Sequence, residues 1–224
     1  HEIKNPLTPI QLSAERIRRQ VAARSESDSR LIEECTHTII SEVEDLKRLV
    51  NEFSAFARMP QINPMPGDVN MLAEETVGNF REAHPEADFA LMLAAAMPPM
   101  AIDRVALKRA LVNLLDNAVA AAVSANHNGG RPRIEVHTTV DDKSGVVTLE
   151  VCDNGAGIDA RMRTRIFEPY FSTKKGGTGL GLAIVATIVT DHHGFVRVRD
   201  NEPRGSRFVL EFPVKDHQFS KASA

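Results

Sequence analysis

The chain has 224 residues, 42% of them apolar and 25% charged, and carries a net charge of -3. A chain of that length can bury a core without disulfide or metal staples, and the usage is that of a globular α/β or α+β protein. The charge balance offers no basic field, which excludes nucleic acid as a partner, and no run of 18 apolar residues is present to span a bilayer.

The first residue is His1 rather than Met, so the expectation is an excised piece whose membrane attachment, if any, lies in absent upstream segments. Two cysteines, Cys35 in a helical pattern and Cys152 in a strand pattern, form neither a disulfide framework nor a metal spacing. Both are expected to be reduced, buried and structural.

From Ile3 the apolar positions run Ile3, Leu7, Ile10, Ala14, Ile17 and Val21, the alternating spacing of a coiled-coil seam. After a polar break at Ser25 to Ser29 the same spacing returns at Ile39, Val43, Leu46, Val50, Phe53 and Ala57. Two antiparallel helices follow, with too little core to stand alone. A second copy completing a dimeric four-helix bundle is the expectation, against the alternative that both stripes pack on the rest of the chain. Pro6 and Pro9 require a helix through His1 to bend, unless the helix begins near Pro6.

Three prolines and a glycine between Met59 and Gly67 close this hairpin, giving residues 1–59 as a first domain and 60–67 as a linker. Residues 68–215 read as a second domain and 216–224 as a polar tail. Asp68 or Asn70 caps a helix to about His84, a strand covers Asp88 to Leu93, and Asp103 caps a long helix through Val123. Strands Arg133 to Val140 and Val146 to Cys152 come next. A glycine-rich stretch, a helix from about Gly179 to His192, and strands Phe195 to Arg199 and Arg207 to Phe212 complete a mostly antiparallel α+β domain.

Within the long helix, Asn113 and Asn117 are four apart and share a face, while Leu111, Leu114, Leu115 and Ala118 cover the core side. Two carboxamides on one face suit a hard cation such as Mg²⁺; a solvated face is the alternative. Asp153-Asn154-Gly155-Ala156-Gly157 follows a strand, where a carboxylate can accept from the exocyclic amine of adenine and glycines admit the base; turn chemistry alone also produces such a string. Gly176-Gly177-Thr178-Gly179-Leu180-Gly181-Leu182 opens a helix whose free N–H groups suit a polyphosphate, unless it is only a flexible turn. It fits neither the dinucleotide fingerprint nor a P-loop. Between these motifs, Arg161, Arg163, Arg165, Lys174 and Lys175 lie among Phe167, Tyr170 and Phe171, basic residues that can close over phosphates and aromatics that can latch the segment down.

His-Glu-Ile-Lys-Asn-Pro-Leu-Thr-Pro-Ile at His1 to Ile10, followed in order by Asn-Leu-Leu-Asp-Asn-Ala, Asp-Asn-Gly-Ala-Gly-Ile, Phe-Glu-Pro-Tyr-Phe-Ser-Thr-Lys and Gly-Thr-Gly-Leu-Gly-Leu, resembles a bacterial sensor histidine kinase. The first motif is most similar to nitrogen-regulation sensors of the NtrY and NtrB kind. The resemblance implies a dimeric phosphoacceptor bundle joined to a two-layer α/β sandwich of the Bergerat type, shared with Hsp90, gyrase and MutL. It implies His1 as phosphoacceptor, Glu2 as its acid-base partner, Asn5 as the position tied to dephosphorylating a partner, and Asn117, assisted by Asn113, as Mg²⁺ ligand. It further implies Asp153 as adenine reader with Gly155 and Gly157 shaping the pocket, Lys174 and Lys175 in an ATP lid, and Gly177, Thr178, Gly179, Leu180 and Gly181 along the phosphates. Ser206 falls where the family often has Thr near the base.

Counted from the seam, His1 projects away from the core, which suits a phosphoacceptor. A metalloprotease reading of His1-Glu2 fails because Asn5 stands where a second His is required. Ala120-Ala121 departs from relatives that carry a basic or aromatic residue there. The expected function is ATP-dependent autophosphorylation of His1 and transfer to an aspartate of a response regulator, in the cytoplasmic portion of a membrane-anchored sensor. Two alternatives stand beside it: a predominant response-regulator phosphatase, and an ATP-binding clamp or scaffold without autokinase activity.

Overall fold

The computed structural model describes residues 4–21, 26–57, 62–126, 130–173 and 178–214. The chain divides into two compact units, His1–Pro60 with Ser172–Leu180, and Gln61–Phe171 with Gly181–Ala224.

In the first unit α1 (Lys4–Val21) packs on α2 (Glu26–Ala57). Leu7 and Ala14 are buried on α1, and Thr36, Val43 and Val50 on α2, each set at seven-residue intervals. The hydroxyl of Thr36 takes part in that seam without an orphaned donor, because it donates to the Ile32 carbonyl at 2.7 Å. Across the hairpin the Lys47 ammonium donates to Gln11 Oε1 at 2.6 Å. Among the described residues, other positions of the stripes are uncovered: Ile10 and Ile17 are 47% exposed, Ile39 and Leu46 43%. The break between the helices is shorter than its polar residues imply, since α2 already starts at Glu26. Cys35 lies exposed on α2, which corrects the expectation that both cysteines are buried: it falls outside the seam.

In the second unit β1 (Met65–Gly67) pairs antiparallel with β3 (Met100–Ile102). Both are short and proline-flanked, and they stand where a linker and a chain break are expected. Pro66 is tolerated because a two-stranded ribbon is all edge. Between them run α3 (Val69–Ala83) and β2 (Asp88–Met92). Asp68 caps α3, its carboxylate accepting from the N–H groups of Asn70 and Met71.

After β3, α4 (Arg104–Ala125) begins at its cap Asp103, which accepts from the N–H groups of Val105 and Ala106. It leads to β4 (Arg133–Asp141) and β5 (Val146–Asp153), then a 3₁₀ turn at Arg165–Phe167, α5 (Gly181–Asp191), β6 (Phe195–Asp200) and β7 (Ser206–Pro213). Helix α5 starts at Gly181 rather than Gly179, because Gly179 sits at φ +69, outside the helical region.

The larger sheet has the order β2-β4-β5-β7-β6, with β2 parallel to β4 and every other pair antiparallel. The parallel pair requires a crossover, and α4 supplies it. Ile134, Val136 and Thr138 on β4 alternate inward with Val147, Leu149 and Val151 on β5, against Leu107, Leu111, Leu114 and Leu115 of α4. Burying a leucine of this kind contributes roughly 2 kcal/mol. His192 ties α5 to the start of α4: its Nε2 accepts from the Asp103 N–H at 2.8 Å, and its Nδ1 lies 2.7 Å from the Ile188 carbonyl. Among the described residues, no helix is long and apolar enough to cross a membrane.

Candidate functional site

Asp153 ends β5 at the point where the chain leaves the sheet, and it is only 2% exposed. A buried carboxylate needs donors. Its Oδ1 accepts the N–H of Gly155 at 2.7 Å and the N–H of Ser206 at 3.3 Å. Ser206, 3% exposed, therefore stands beside Asp153 and meets it through its backbone N–H.

The glycines around Asp153 are required by space as well as by conformation. A β-carbon on Gly155 would stand 2.6 Å from Asp153 Oδ1 and 2.9 Å from the Ala121 β-carbon, so the small residue at 121 is what lets the loop lie on α4. Gly157 has φ +82, and its β-carbon would meet the Gly205 carbonyl at 3.3 Å. Both glycines let backbone approach backbone where a side chain would intervene.

Asn113 and Asn117 are half-buried on one face of α4. Asn113 Nδ2 donates to the Arg109 carbonyl at 3.1 Å, which orients its amide. A β-carbon on Gly181 would lie 3.2 Å from Asn113 Oδ1, so the carboxamide oxygen faces the first residue of α5. A hard oxygen donor from α4 and the free N–H groups of a helix start are thus adjacent, a combination suited to an anion with its counter-cation.

Asn113, Asn117, Asp153, Gly155, Gly157, Gly181 and Ser206 all fall in the second unit, whereas Thr178, Gly179 and Leu180 fall in the first. Within that stretch the Leu180 N–H approaches the Thr178 hydroxyl at 3.4 Å. His1, Glu2, Lys174, Lys175 and Gly177 lie outside the described residues, and Asn5 is described only as part of α1.

The basic segment is more committed than its composition implies. Arg163 pairs with Asp200 at 2.5 Å and Arg165 lies 4.6 Å over the Phe171 ring, so these two serve the body of the unit. Phe167 is the latch, meeting Phe208 edge-to-face, while Tyr170 is exposed.

Residues without any motif complete the loop's support. Asn154 Oδ1 accepts from Asn126 Nδ2 at 3.2 Å and from the Arg133 N–H at 2.9 Å. The Arg204 guanidinium donates to Asn126 Oδ1 and to the Asn154 carbonyl. Asn201 Nδ2 donates to the Asp153 carbonyl at 3.0 Å. Asn154 alone lies within a motif; Asn126 is the C-cap of α4, Arg133 opens β4, and Asn201 and Arg204 lie in the turn between β6 and β7.

One group among the described residues has metal-compatible spacing, His137, Glu150 and Cys152 on the open sheet face, and it escaped the sequence because it spans two strands. Its charges are already matched: Arg207 holds Glu150 at 3.0 Å, and Glu135 meets His137 at 3.1 Å. Burial pushes the Cys152 thiol up to about 12.

Residues 102–216 match the histidine kinase-, DNA gyrase B- and HSP90-like ATPase family, and residues 1–62 match the His kinase A (phospho-acceptor) domain. The nitrogen regulation protein NtrY of Azorhizobium caulinodans is 42% identical over 96% of this chain, which spans 28% of that protein's length. The full-length structure of ShkA, in complex with AMPPNP, superposes with a TM-score of 0.71 at 25% identity, over 95% of this chain and 44% of that one. The histidine kinase ThkA, in complex with the response regulator TrrA, shares the fold at a TM-score of 0.68 and 24% identity, over 96% and 59%.

Proposed function

We propose, from the premise that this chain belongs to the histidine kinase family, that it phosphorylates its own His1 from ATP and passes the phosphoryl group to an aspartate of a response regulator. The observation that carries the reading is the meeting of Asn113 Oδ1 with Gly181 at the start of α5, in the same unit as the buried Asp153. Nothing in the fold or the relatives favours a phosphatase-dominated protein or a clamp.

In this reading the base lies against the Asp153 turn, its exocyclic amine donating to the carboxylate, with Gly155 and Gly157 allowing close approach and Ser206 alongside. The phosphates run toward Gly181, where free N–H groups of α5 accept negative charge. Asn117 and Asn113 fit Mg²⁺ by donor chemistry, since both offer neutral oxygens on one helix face; bound there, the ion would neutralise phosphate charge. Gly177, Thr178, Gly179 and Leu180, with Lys174 and Lys175, are assigned to the lid by their order in the sequence.

The phosphoacceptor step is an in-line transfer. An imidazole nitrogen of His1 forms a bond to the γ-phosphorus while the bond from that phosphorus to the β,γ-bridging oxygen breaks, and ADP leaves with the electron pair. Glu2 accepts the imidazole proton or holds the tautomer with the free lone pair. Asn5, one turn on, is assigned to orienting water that attacks the phosphorus of the regulator's phosphoaspartate, releasing inorganic phosphate and the free carboxylate.

Residues 1–59 are assigned to dimerisation and phosphotransfer, 60–67 to a linker and 68–215 to catalysis. The uncovered stripe Ile10, Ile17, Ile39 and Leu46 supports a homodimer, because a second hairpin would bury it as a four-helix bundle. The same reading makes this chain the cytoplasmic transmitter part of a membrane-anchored sensor.

Incubation of a chain extended upstream of His1 with γ-labelled ATP is expected to give an acid-labile, base-stable phosphoprotein. Label that persists in His1→Gln would defeat the assignment.

A further inference from the structure

We infer that Asn201 and Arg207 set the preference for adenine, holding Asp153 from behind as positioning residues; this rests on the reading that Asp153 accepts the amine of the base.

Three contacts in series connect the open face of the sheet to Asp153. Glu150 on β5 accepts from Arg207 Nη1 at 3.0 Å. Arg207 Nη2 donates to Asn201 Oδ1 at 3.3 Å. Asn201 Nδ2 donates in turn to the Asp153 carbonyl at 3.0 Å. Each side chain is used at both ends. Asn201 is itself fixed in the β6–β7 turn, where its N–H donates to the Gly205 carbonyl at 3.1 Å.

Asp153 is consequently held at two points, its carbonyl by Asn201 and its Oδ1 by the N–H groups of Gly155 and Ser206. A residue pinned through both its peptide and its carboxylate has little freedom left to lose when a ligand arrives. That matters for selectivity more than for general affinity. Adenine presents an amine donor to the carboxylate, whereas hypoxanthine presents an oxygen in the same place, and discrimination between them requires an acceptor that cannot swing away. Loosening the Asp153 peptide should therefore cost adenine its advantage while leaving phosphate binding alone.

Arg207 is suited to the intermediate position because its planar fork presents one nitrogen to Glu150 and the other to Asn201. Arg207 and Cys152 are register partners on β7 and β5, which brings the Arg207 side chain diagonally to Glu150. Residues on β5, β7 and the turn before β7 thus converge on one peptide group.

The test is calorimetric titration of the 224-residue chain with ADP and with inosine diphosphate, comparing the unaltered protein with Asn201→Ala, Asn201→Asp, Glu150→Gln and Asp153→Asn. Loss of one interior hydrogen bond is expected to reduce the ratio of ADP to inosine diphosphate affinity by about 5- to 10-fold in Asn201→Ala, with inosine diphosphate affinity changed by less than about 2-fold. Asn201→Asp keeps the acceptor for Arg207 but sets an oxygen against the Asp153 carbonyl, so it should lose at least as much. Glu150→Gln, conservative and remote, should lower the ratio in the same direction, and it decides the matter if the Asn201 variants fail to fold by thermal denaturation. An unchanged ratio, or equal losses for both nucleotides, overturns the inference. An unchanged ratio in Asp153→Asn overturns instead the adenine reading beneath it.

Discussion

Gly205 lies against the backbone of Asp153 so closely that a β-carbon on it would stand 1.8 Å from the Asp153 carbonyl oxygen and 2.7 Å from the carbonyl carbon. Its φ of +120 is also one that L side chains rarely adopt. Two independent costs fall on one residue, so Gly205→Ala is expected to destabilise the protein by about 3 kcal/mol or more. Urea unfolding of the purified variant measures this, and a midpoint shift of under half that size would contradict the contact.

Gly181 presents a milder case. Its β-carbon would meet Asn113 Oδ1 at 3.2 Å, and no positive φ opposes a side chain there. Gly181→Ala should leave the unfolding midpoint nearly unchanged while displacing the amide, weakening magnesium-nucleotide binding by roughly 5-fold, the effect of losing about one good contact. Titration with Mg-ADP checks it; equal binding in the variant would separate Asn113 from the phosphate site.

Asp103 gives the acid limb a specific contributor. The N–H groups of Ala106 first, then of Asn63, hold its carboxyl below the ordinary value of 3.8. A depressed folded value means the group stabilises the fold above the unfolded value, and that contribution disappears as pH falls through the lowered folded one. Stability should therefore drop below about pH 4 more steeply in the unaltered protein than in Asp103→Asn, which still caps α4 but does not titrate. Parallel unfolding slopes for the two between pH 4.5 and 2.5 would remove Asp103 from the account.

The two cysteines should separate by reactivity. Cys35 is exposed, while burial pushes Cys152 up to about 12. At pH 8 iodoacetamide should modify Cys35 alone in the folded chain and reach Cys152 only in denaturant, since the thiolate is the reacting form. Peptide mass mapping reads the result, and folded-state labelling of Cys152 would show that its burial is incomplete.

For the hairpin, charge placed in the uncovered stripe should block association. Ile17→Glu with Leu46→Glu removes apolar surface from the exposed face without touching Ala14 or Val43 inside the hairpin. Sedimentation velocity is expected to show the unaltered chain as a dimer and the double variant as a monomer. A dimer that persists in the variant would place the interface elsewhere.

Much of this protein was fixed by local chemistry that one sequence displays. Capping by Asp68 and Asp103 marked α3 and α4 because a short acceptor before an apolar period satisfies free N–H groups wherever it occurs. Alternation over Arg133 to Val140 and Val146 to Cys152 marked two strands, each of which runs one residue further in the structure, because one face of a sheet is buried. The order of Asn113, Asn117, Asp153 and the glycines marked the family, and the comparisons agree. Local pattern was silent on β1 and β3, since three-residue strands have no period to read and exist through the partner each finds far along the chain, as Met65 finds Ile102, 37 residues away.

Tertiary structure alone decided which side chains stand behind the site and which apolar residues are covered. Nothing local distinguishes Leu7 from Ile10, yet packing of α1 on α2 buries the first and leaves the second half exposed. Nothing local marks Asn201 or Arg207 either: their roles arise because β7 pairs with β5 and carries the preceding turn onto Asp153. Propensity and periodicity act over a few residues, whereas a hydrogen bond between residues 48 apart in the chain exists only after the sheet has formed.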